Sequence, residues 1–179
     1  MCDFHIIFSD KVTEQEIREF LVELKVTVGA GKIKAKDVTD YDNGSVDFDD
    51  VINLLQESLN GKYLTGILAR GKGNSRSSSL YEKFVVESDL VIHSTDSLSN
   101  IERDFSFFTG IGKPLTQNSD AHKIEQIGGK FTWIKAEPTF EGLKQIIYEP
   151  QLRIRIQQDN PNCKPDYEVI DRIEIDHED

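Results

Sequence analysis

Short apolar runs alternate with amphipathic segments along most of this chain, and the alternation restricts the folds available to it. Residues 4–8, 63–69 and 89–93 have the apolar character of buried strands. Between the first two runs, apolar residues recur at the spacing of one helix face, as in residues 17–24. Strands that alternate with helices predict an α/β fold, with a mostly parallel sheet and helices packed on it.

Helix boundaries are marked by capping residues. Thr13 with Glu16 forms a capping box, Asp47 begins a second helix that Gly61 ends, and Thr139 begins a helix that continues to residue 148. Further strands are predicted in residues 113–118 and 131–135, and further helices in 80–86 and 100–108. In the last of these helices, Ile101, Phe105, Phe107 and Phe108 are expected to face the core.

Bulk composition limits the classes of function. The chain has 179 residues, long enough for one domain with a sizeable core, and its net charge of −11 disfavours a broad basic face for nucleic acid. Its two cysteines, Cys2 and Cys163, form neither a disulfide framework nor a CxxC metal pattern, which favours a reducing, cytoplasmic compartment. Neither a signal-peptide pattern nor an apolar run of transmembrane length is present, so no membrane association is expected.

Asp120 and His122 are the most conspicuous polar pair, because they follow an apolar run that predicts a strand end. Two positions apart in an extended backbone, they are expected to point to the same side, where they suit a divalent metal such as Zn, Mn or Fe. In the alternative interpretation, Asp120 caps a helix beginning near Lys123 and His122 is a surface residue.

The residues around this pair extend the pattern through a series of short segments: Ser119-Asp120-Ala121-His122, Ile127-Gly128, Phe131-Thr132-Trp133-Ile134-Lys135, Pro138-Thr139-Phe140-Glu141-Gly142-Leu143 and Tyr148-Glu149-Pro150. Together they resemble the last metal motif and flank of PHP-domain phosphoesterases. The resemblance is greatest to the TrlF-type proteins, in which a PHP domain precedes an AAA-like ATPase. It is close over about residues 100–156 and looser back to His5.

The resemblance implies that residues 1–150 are the C-terminal portion of a PHP-like domain, a partial or degenerate distorted (β/α)7 barrel of mostly parallel strands with outer helices. Residues 151–179 are expected to form a terminal strand and an acidic tail or linker. It also implies that Asp120 and His122 ligate a divalent metal that activates water for attack on a phosphoester. His5 matches a further family histidine, or is a core histidine with a backbone partner, or is a residue exposed by truncation.

A Gly/Ser-rich basic loop follows the strand predicted at residues 63–69. Arg70 stands where the family usually has a histidine ligand, and a guanidinium has no lone pair for a metal. With Lys72 and Arg76 it is expected to bind the phosphate of a phosphoester substrate, such as a nucleotide or nucleic acid. Arg70 otherwise marks a lost ligand or a different alignment.

The family's His-x-His pair does not occur among the four histidines, His5, His93, His122 and His177. Two hypotheses follow. The chain is a metal-dependent phosphoesterase domain or fragment that needs a missing N-terminal half, or it is a catalytically inactive remnant that regulates an associated ATPase and exposes an apolar flank for a partner or a homo-oligomer. His93 is expected either to orient or bind a metal, or to end its strand in a local polar turn.

Overall fold

The fold was analysed in a computed structural model that describes residues 4–28, 31–34, 44–69, 79–94 and 97–162. The strands are β1 (Phe4–Phe8), β2 (Lys25–Val28), β3 (Gly31–Lys34), β4 (Ser45–Val46), β5 (Tyr63–Leu68), β6 (Leu90–His93), β7 (Leu115–Gln117), β8 (Trp133–Ile134) and β9 (Ile154–Arg155). The helices are α1 (Glu14–Glu23), α2 (Phe48–Leu59), α3 (Ser79–Glu87), α4 (Leu98–Gly110), α5 (Phe140–Tyr148) and α6 (Pro150–Arg153), with a 3₁₀ helix at Ile124–Gln126.

The central sheet has four strands in the order β1-β5-β6-β7. Strands β5, β6 and β7 are parallel, which confirms the predicted α/β class with a mostly parallel sheet. Strand β1 pairs antiparallel with β5, so that Phe4 lies opposite Ile67 and Phe8 opposite Tyr63. In the described part of the chain, β1 and β7 are the two edges of this sheet and do not pair with each other, so these residues form no closed barrel.

The predicted helix starts are confirmed by their hydrogen bonds. The Thr13 hydroxyl accepts the amide of Glu16 at 3.2 Å, and the Glu16 carboxylate accepts the amide of Thr13 at 2.8 Å. Asp47 Oδ1 accepts the amides of the first turn of α2. Gly61 has a φ of 75°, a left-handed conformation that glycine adopts without strain, and it reverses the chain between α2 and β5.

One face of the central sheet is covered by helices α1 to α4. Successive side chains of a strand point to opposite faces, so alternate residues of β1 and β5 share this face. Near β1 the core packs the strand residues Phe4, Ile6, Phe8 and Tyr63 against Phe20, Leu24, Val51, Leu55 and Leu59 of α1, its C-cap and α2. Near β7 it packs Ile67, Ala69, Val91 and Leu115 against Val85 of α3 and Phe108 of α4.

The C-terminal described segment packs against itself through a short antiparallel pair. Trp133 lies opposite Arg155 and Ile134 opposite Ile154, and Ile154 is fully buried. The terminal strand predicted after residue 150 is therefore present as β9. The acidic tail, residues 163–179, lies outside the described residues.

Two features of the fold differ from the sequence-based expectation. A second sheet, in the order β3-β2-β4, follows α1 and buries Val26 completely, although its strands are too short and polar to give a clear alternating signal. The prediction for Phe107 is wrong: it is 49% exposed, whereas Phe108 is fully buried. Adjacent helical residues are about 100° apart around the axis, so Phe107 and Phe108 cannot share one narrow core face.

The replacement Gly142→Ala tests the close packing at the start of α5. A Cβ at this position would lie 2.9 Å from the carbonyl carbon and 3.0 Å from the nitrogen of Glu137, and closer still to its carbonyl oxygen. Because backbone atoms cannot move aside as a side chain can, we expect a loss of about 1–3 kcal/mol in the free energy of unfolding. Urea denaturation of both proteins measures this loss.

Gly110→Ala is the matched control, because a Cβ on Gly110 would meet no atom within 4 Å. It should leave the free energy of unfolding unchanged or raise it by up to about 1 kcal/mol, since alanine favours helix over glycine. Equal stability of the two variants would contradict the close approach of α5 to Glu137.

The capping box of α1 predicts a pH dependence. The hydrogen bond from the backbone of Thr13, followed by that from Lys62, lowers the pKa of Glu16 from 4.5 to about 2 in the folded state. A lowered folded-state pKa means that the stabilisation is complete above the ordinary pKa and is lost as the pH falls from about 4.5 through about 2. We expect Glu16→Gln to lower Tm at pH 7 and to flatten the acid dependence in that window.

Glu19→Gln on the same exposed helix surface is the control for this pH effect. Among the described residues, the Glu19 carboxylate accepts a hydrogen bond only from the side chain of Gln15. Its thermal unfolding between pH 2 and pH 7 should follow that of the unmodified protein. A Glu16→Gln profile parallel to that of the unmodified protein would contradict the assignment.

Candidate functional site

The carboxyl ends of β5, β6 and β7 lie on the same side of the central sheet because these strands are parallel. This side, where the strands end, is hereafter called the carboxyl edge, and it is distinct from the edge strands β1 and β7. Strand β1 is antiparallel to β5, so the first residues of β1 lie toward the carboxyl end of β5. His5, the second residue of β1, lies opposite Gly66 and is exposed. In ordinary α/β sheets the carboxyl edge is where ligands bind. Gly66, however, pairs with Leu90, the first residue of β6, so His5 lies level with the start of β6 and apart from the loop after β7. Its exposure also excludes the interpretation of His5 as a core histidine.

The loop after β7, residues 118–122, is hereafter called the motif loop. It begins where the amide of Asn118 donates to the carbonyl oxygen of His93 at 2.8 Å. Asp120 has a φ of 50° and is the only residue other than glycine with a positive φ in the described chain. Asp and Asn adopt this left-handed conformation more readily than other residues, though at some cost. The backbone at Asp120 is therefore not extended, contrary to the expectation from the sequence.

Asp120 and His122 are both exposed. The hydrogen bonds of the following residues show that Asp120 is not the cap of the next helix. The side-chain oxygen of Gln126 accepts the amides of His122 at 2.9 Å and Lys123 at 3.1 Å. Lys123 is the N-cap of the 3₁₀ helix that follows. Asp120 therefore does not cap this helix, and the capping side chain comes instead from Gln126, inside it.

The described residues contain no group of three or more His, Cys, Asp and Glu side chains able to hold a metal ion. Asp120 and His122 offer two donors at the carboxyl edge, whereas His5 lies level with the start of β6 and forms no group of three with them. Two donors are fewer than the three protein ligands of an ordinary catalytic zinc site. The described residues alone do not fit a complete metal centre.

The phosphate-binding residues predicted from the sequence, Arg70, Lys72 and Arg76, lie outside the described residues. Ala69, which immediately precedes them, is 1% exposed, and its amide donates to the carbonyl oxygen of Ile92 at 2.7 Å. The chain therefore leaves β5 at the same carboxyl edge that carries the motif loop.

A buried polar pair lies at the end of β6 and was missed in the sequence. His93 Nε2 lies 3.2 Å from Asp104 Oδ2, and the two side chains are 5% and 0% exposed. Arg103 Nε donates to Asp104 Oδ1 at 3.2 Å from a half-exposed position. The signal was present in α4: Asp104 comes four residues before the buried Phe108, so a carboxylate stands on the apolar face of the helix. Among the described residues His93 belongs to no metal-binding group, and its side chain is buried against Asp104. Residues 95 and 96 of the predicted polar turn lie outside the described residues.

Thr132 fixes the end of β7 from the other side of the chain. Its hydroxyl accepts the amide of Gln117 at 2.6 Å and donates to the carbonyl oxygen of Gln117 at 3.0 Å. Gln117 is 4% exposed and is the strand partner of His93. The last residue of β7 is thus held through both of its backbone polar groups, immediately before the motif loop.

A cleft of about 750 Å³ lies between β1 and the chain around α5. Most of its lining is apolar, with four polar residues, Asp10, Thr132, Glu137 and Thr139. Thr132 links this cleft to the end of β7. The residues that line the cleft include no basic side chain, so its described walls offer no cationic group to a phosphate.

Comparison of the chain with models of protein families, with curated proteins and with solved structures gave no match. Among the described residues, no helix combines the length and the apolar character needed to cross a bilayer.

The replacement Thr132→Val tests the attachment at the end of β7. Valine keeps the shape of threonine but leaves the buried amide of Gln117 without its hydroxyl partner, which costs about 1–3 kcal/mol. We expect a loss of this size in the free energy of unfolding, measured by urea denaturation. Thr27→Val in β2, which removes a half-buried hydroxyl from the other sheet, is the control. Equal losses from both replacements would contradict a specific role for Thr132.

Proposed function

We propose that this chain is a PHP-like domain, or a portion of one, that takes part in metal-dependent hydrolysis of a phosphoester. The observation that carries the proposal is the position of the motif loop. The residues that resemble the family's last metal motif, Asp120 and His122, lie exposed at the carboxyl edge of a mostly parallel sheet. This is the edge at which α/β folds place their ligands.

The four-stranded sheet is proposed to be a section of a distorted (β/α)7 barrel. Helices α1 to α4 cover one face of the sheet, as outer helices cover a barrel. Strands β1 and β7 are the edges at which further strands would continue the sheet. The proposal includes a homo-oligomer or a second polypeptide as the source of such strands, because an unpaired strand edge is a ready site for pairing.

The substrate class rests on the loop after Ala69. Arg70 and Arg76 present guanidinium groups that bind phosphate oxygens in pairs, and Lys72 adds a point charge. With a net charge of −11, the protein would bind a nucleotide or a nucleic-acid end through this local cluster better than along an extended strand. The two cysteines form neither a disulfide framework nor a CxxC pattern, which favours a reducing compartment such as the cytoplasm.

The metal would be Zn, Mn or Fe, whose preferred ligands include carboxylate and imidazole. Asp120 and His122, with His5 as the third candidate, would contribute to its site, and the remaining donors would come from residues beyond the described ones or from another chain. When bound, such a metal supplies Lewis-acid polarisation and water activation. Asp120 and His122 lie on the motif loop, which follows β7 and is attached to β6 by the hydrogen bond from Asn118 to His93.

A second candidate function is that of a catalytically inactive PHP remnant that regulates an associated ATPase. It is favoured by one observation: the described residues contain no cluster of three metal-binding side chains. In this case the motif loop would be a surface feature without a metal, and the sheet edges would serve to bind the partner.

Metal analysis of the purified protein tests the two candidates. After incubation with Zn²⁺ or Mn²⁺ and removal of unbound ions, the phosphoesterase proposal predicts close to one or more equivalents per chain by elemental analysis. The double replacement Asp120→Ala/His122→Ala should reduce this to the background level, because it removes both donors of the motif loop.

Glu125→Ala is the matched control, because it removes an exposed carboxylate from the 3₁₀ helix next to the motif loop. Its metal content should equal that of the unmodified protein. A protein that retains no metal would overturn the phosphoesterase proposal for this chain and favour the regulatory module. Metal retained equally by all three proteins would place the site elsewhere in the sequence.

A further inference from the structure

The buried pair of His93 and Asp104 calls for an explanation other than stability. Burying a carboxylate and an imidazole removes polar groups from water at a cost, and well-packed apolar residues are often as stabilising as a buried polar pair. Asp104 is fully buried on the helix face that carries Phe108, where an apolar residue would pack with less desolvation. What the pair provides is directionality, because a contact between an imidazole nitrogen and a carboxylate oxygen needs one particular alignment of α4 against β6.

We propose that His93 and Asp104 are positioning residues that fix the base of the motif loop. Asp104 holds the side chain of His93 at 3.2 Å, and the backbone of His93 accepts the amide of Asn118, the first residue of the loop, at 2.8 Å. Asp120 follows only two residues later. Helix α4 is thereby connected to the motif loop through a single residue of β6.

The contact between Asp104 and His93 depends on the alignment of α4 along β6, and His93 in turn pairs with the last residue of β7. His93 is the strand partner of Gln117, and Gln117 is held on its other side by Thr132. If α4 slipped by one turn, Asp104 would leave His93, and the end of β6 would lose its fixed partner. The end of β7 would then keep Thr132 and its backbone pairing with β6, but β6 itself would have lost its contact with α4. The functional meaning of this role rests on the proposed function, whereas the mechanical role does not.

The groups around the pair keep its charge local. Arg103 approaches Asp104 from solvent and also donates to Asn100 at 2.6 Å, so its guanidinium is itself oriented. The carboxylate is thus held between an arginine at the surface and a histidine in the interior. This three-residue arrangement links solvent to the end of β6, and it suits a carboxylate that must keep one orientation.

The test is residue-resolved amide hydrogen exchange of the full chain by NMR, with Asp104→Asn and His93→Gln as variants. Asparagine keeps the shape of aspartate but removes its charge. We expect exchange at Asn118 and through the motif loop to accelerate by about tenfold relative to the unmodified protein. The amides of β5 should change only by the amount that the overall stability changes.

Lys113→Met is the matched control, because it removes hydrogen bonds at the amino end of β7, the end opposite the motif loop. Lys113 Nζ donates to the carbonyl oxygens of Val86 at 2.7 Å and Ser88 at 2.6 Å, before the start of β7. It should lower stability without a selective effect on Asn118. If Asp104→Asn and Lys113→Met change the motif loop equally at matched stability, His93 and Asp104 are structural only and the proposal is overturned.

Two further measurements keep the outcome decisive. If Asp104→Asn does not fold, Arg103→Met removes a surface partner of Asp104 and should give a smaller acceleration at the same amides; an unchanged motif loop there would count against the proposal. Titration with Zn²⁺ or Mn²⁺ gives the second readout, in which loss of the pair should weaken binding by about 10–100-fold. If the unmodified protein binds neither ion, the proposed function fails, while the exchange experiment still decides the positioning role.

Discussion

Parallel pairing of β5, β6 and β7 brings three chain reversals to the same edge of the sheet, and the positions of the candidate residues depend on it. The hydrogen bonds of this ladder continue one residue past the strands, from Ala69 to Ile92 and from Asn118 to His93. The basic loop therefore follows β5 and the motif loop follows β7, on the two sides of β6. Without that ladder, residues separated by about fifty positions in the sequence would have no reason to be close.

Polar contacts, rather than apolar ones, hold the two ends of this ladder. At the amino edge, Asp89 accepts both the amide and the hydroxyl of Thr65, at 2.7 and 2.9 Å. At the carboxyl edge, Asp104 pairs with His93, and Thr132 bonds to Gln117. Apolar packing is not directional and tolerates small shifts, whereas these contacts each require one alignment. The core thus supplies the stability, and the polar contacts select the register.

Much of the fold could be predicted from the sequence because its signals are local. The capping boxes and periodic apolar residues place α1, α2 and α5 within one or two residues of their observed ends, and the apolar runs place β1, β5 and β6. The short strands β2 and β4 could not be predicted, since a strand of two to four residues carries too few positions for a period to be recognised. Phe107 was misplaced because a count of aromatic residues ignores the angle between neighbours on a helix.

The candidate site was predictable only in part. Asp120 and His122 follow a strand end, and the sequence shows that much. Their common direction depends on backbone angles, and the left-handed conformation of Asp120 changes it. The pairing of His93 with Asp104 joins residues eleven positions apart on a strand and a helix, and no local pattern connects them. Asp104 could have been noticed as a carboxylate on an apolar helix face, but not its partner.

Taken alone, the sequence determined helices α1 to α5, the four strands of the central sheet, and that the chain forms an α/β structure. These follow from capping, periodicity and turn residues, which act within a few positions. The tertiary structure decided the antiparallel direction of β1 and the contacts of His93, Asp104, Gln117 and Thr132. The reason is physical: strand direction and buried polar pairing depend on which distant segments share the core, and local sequence does not encode that choice.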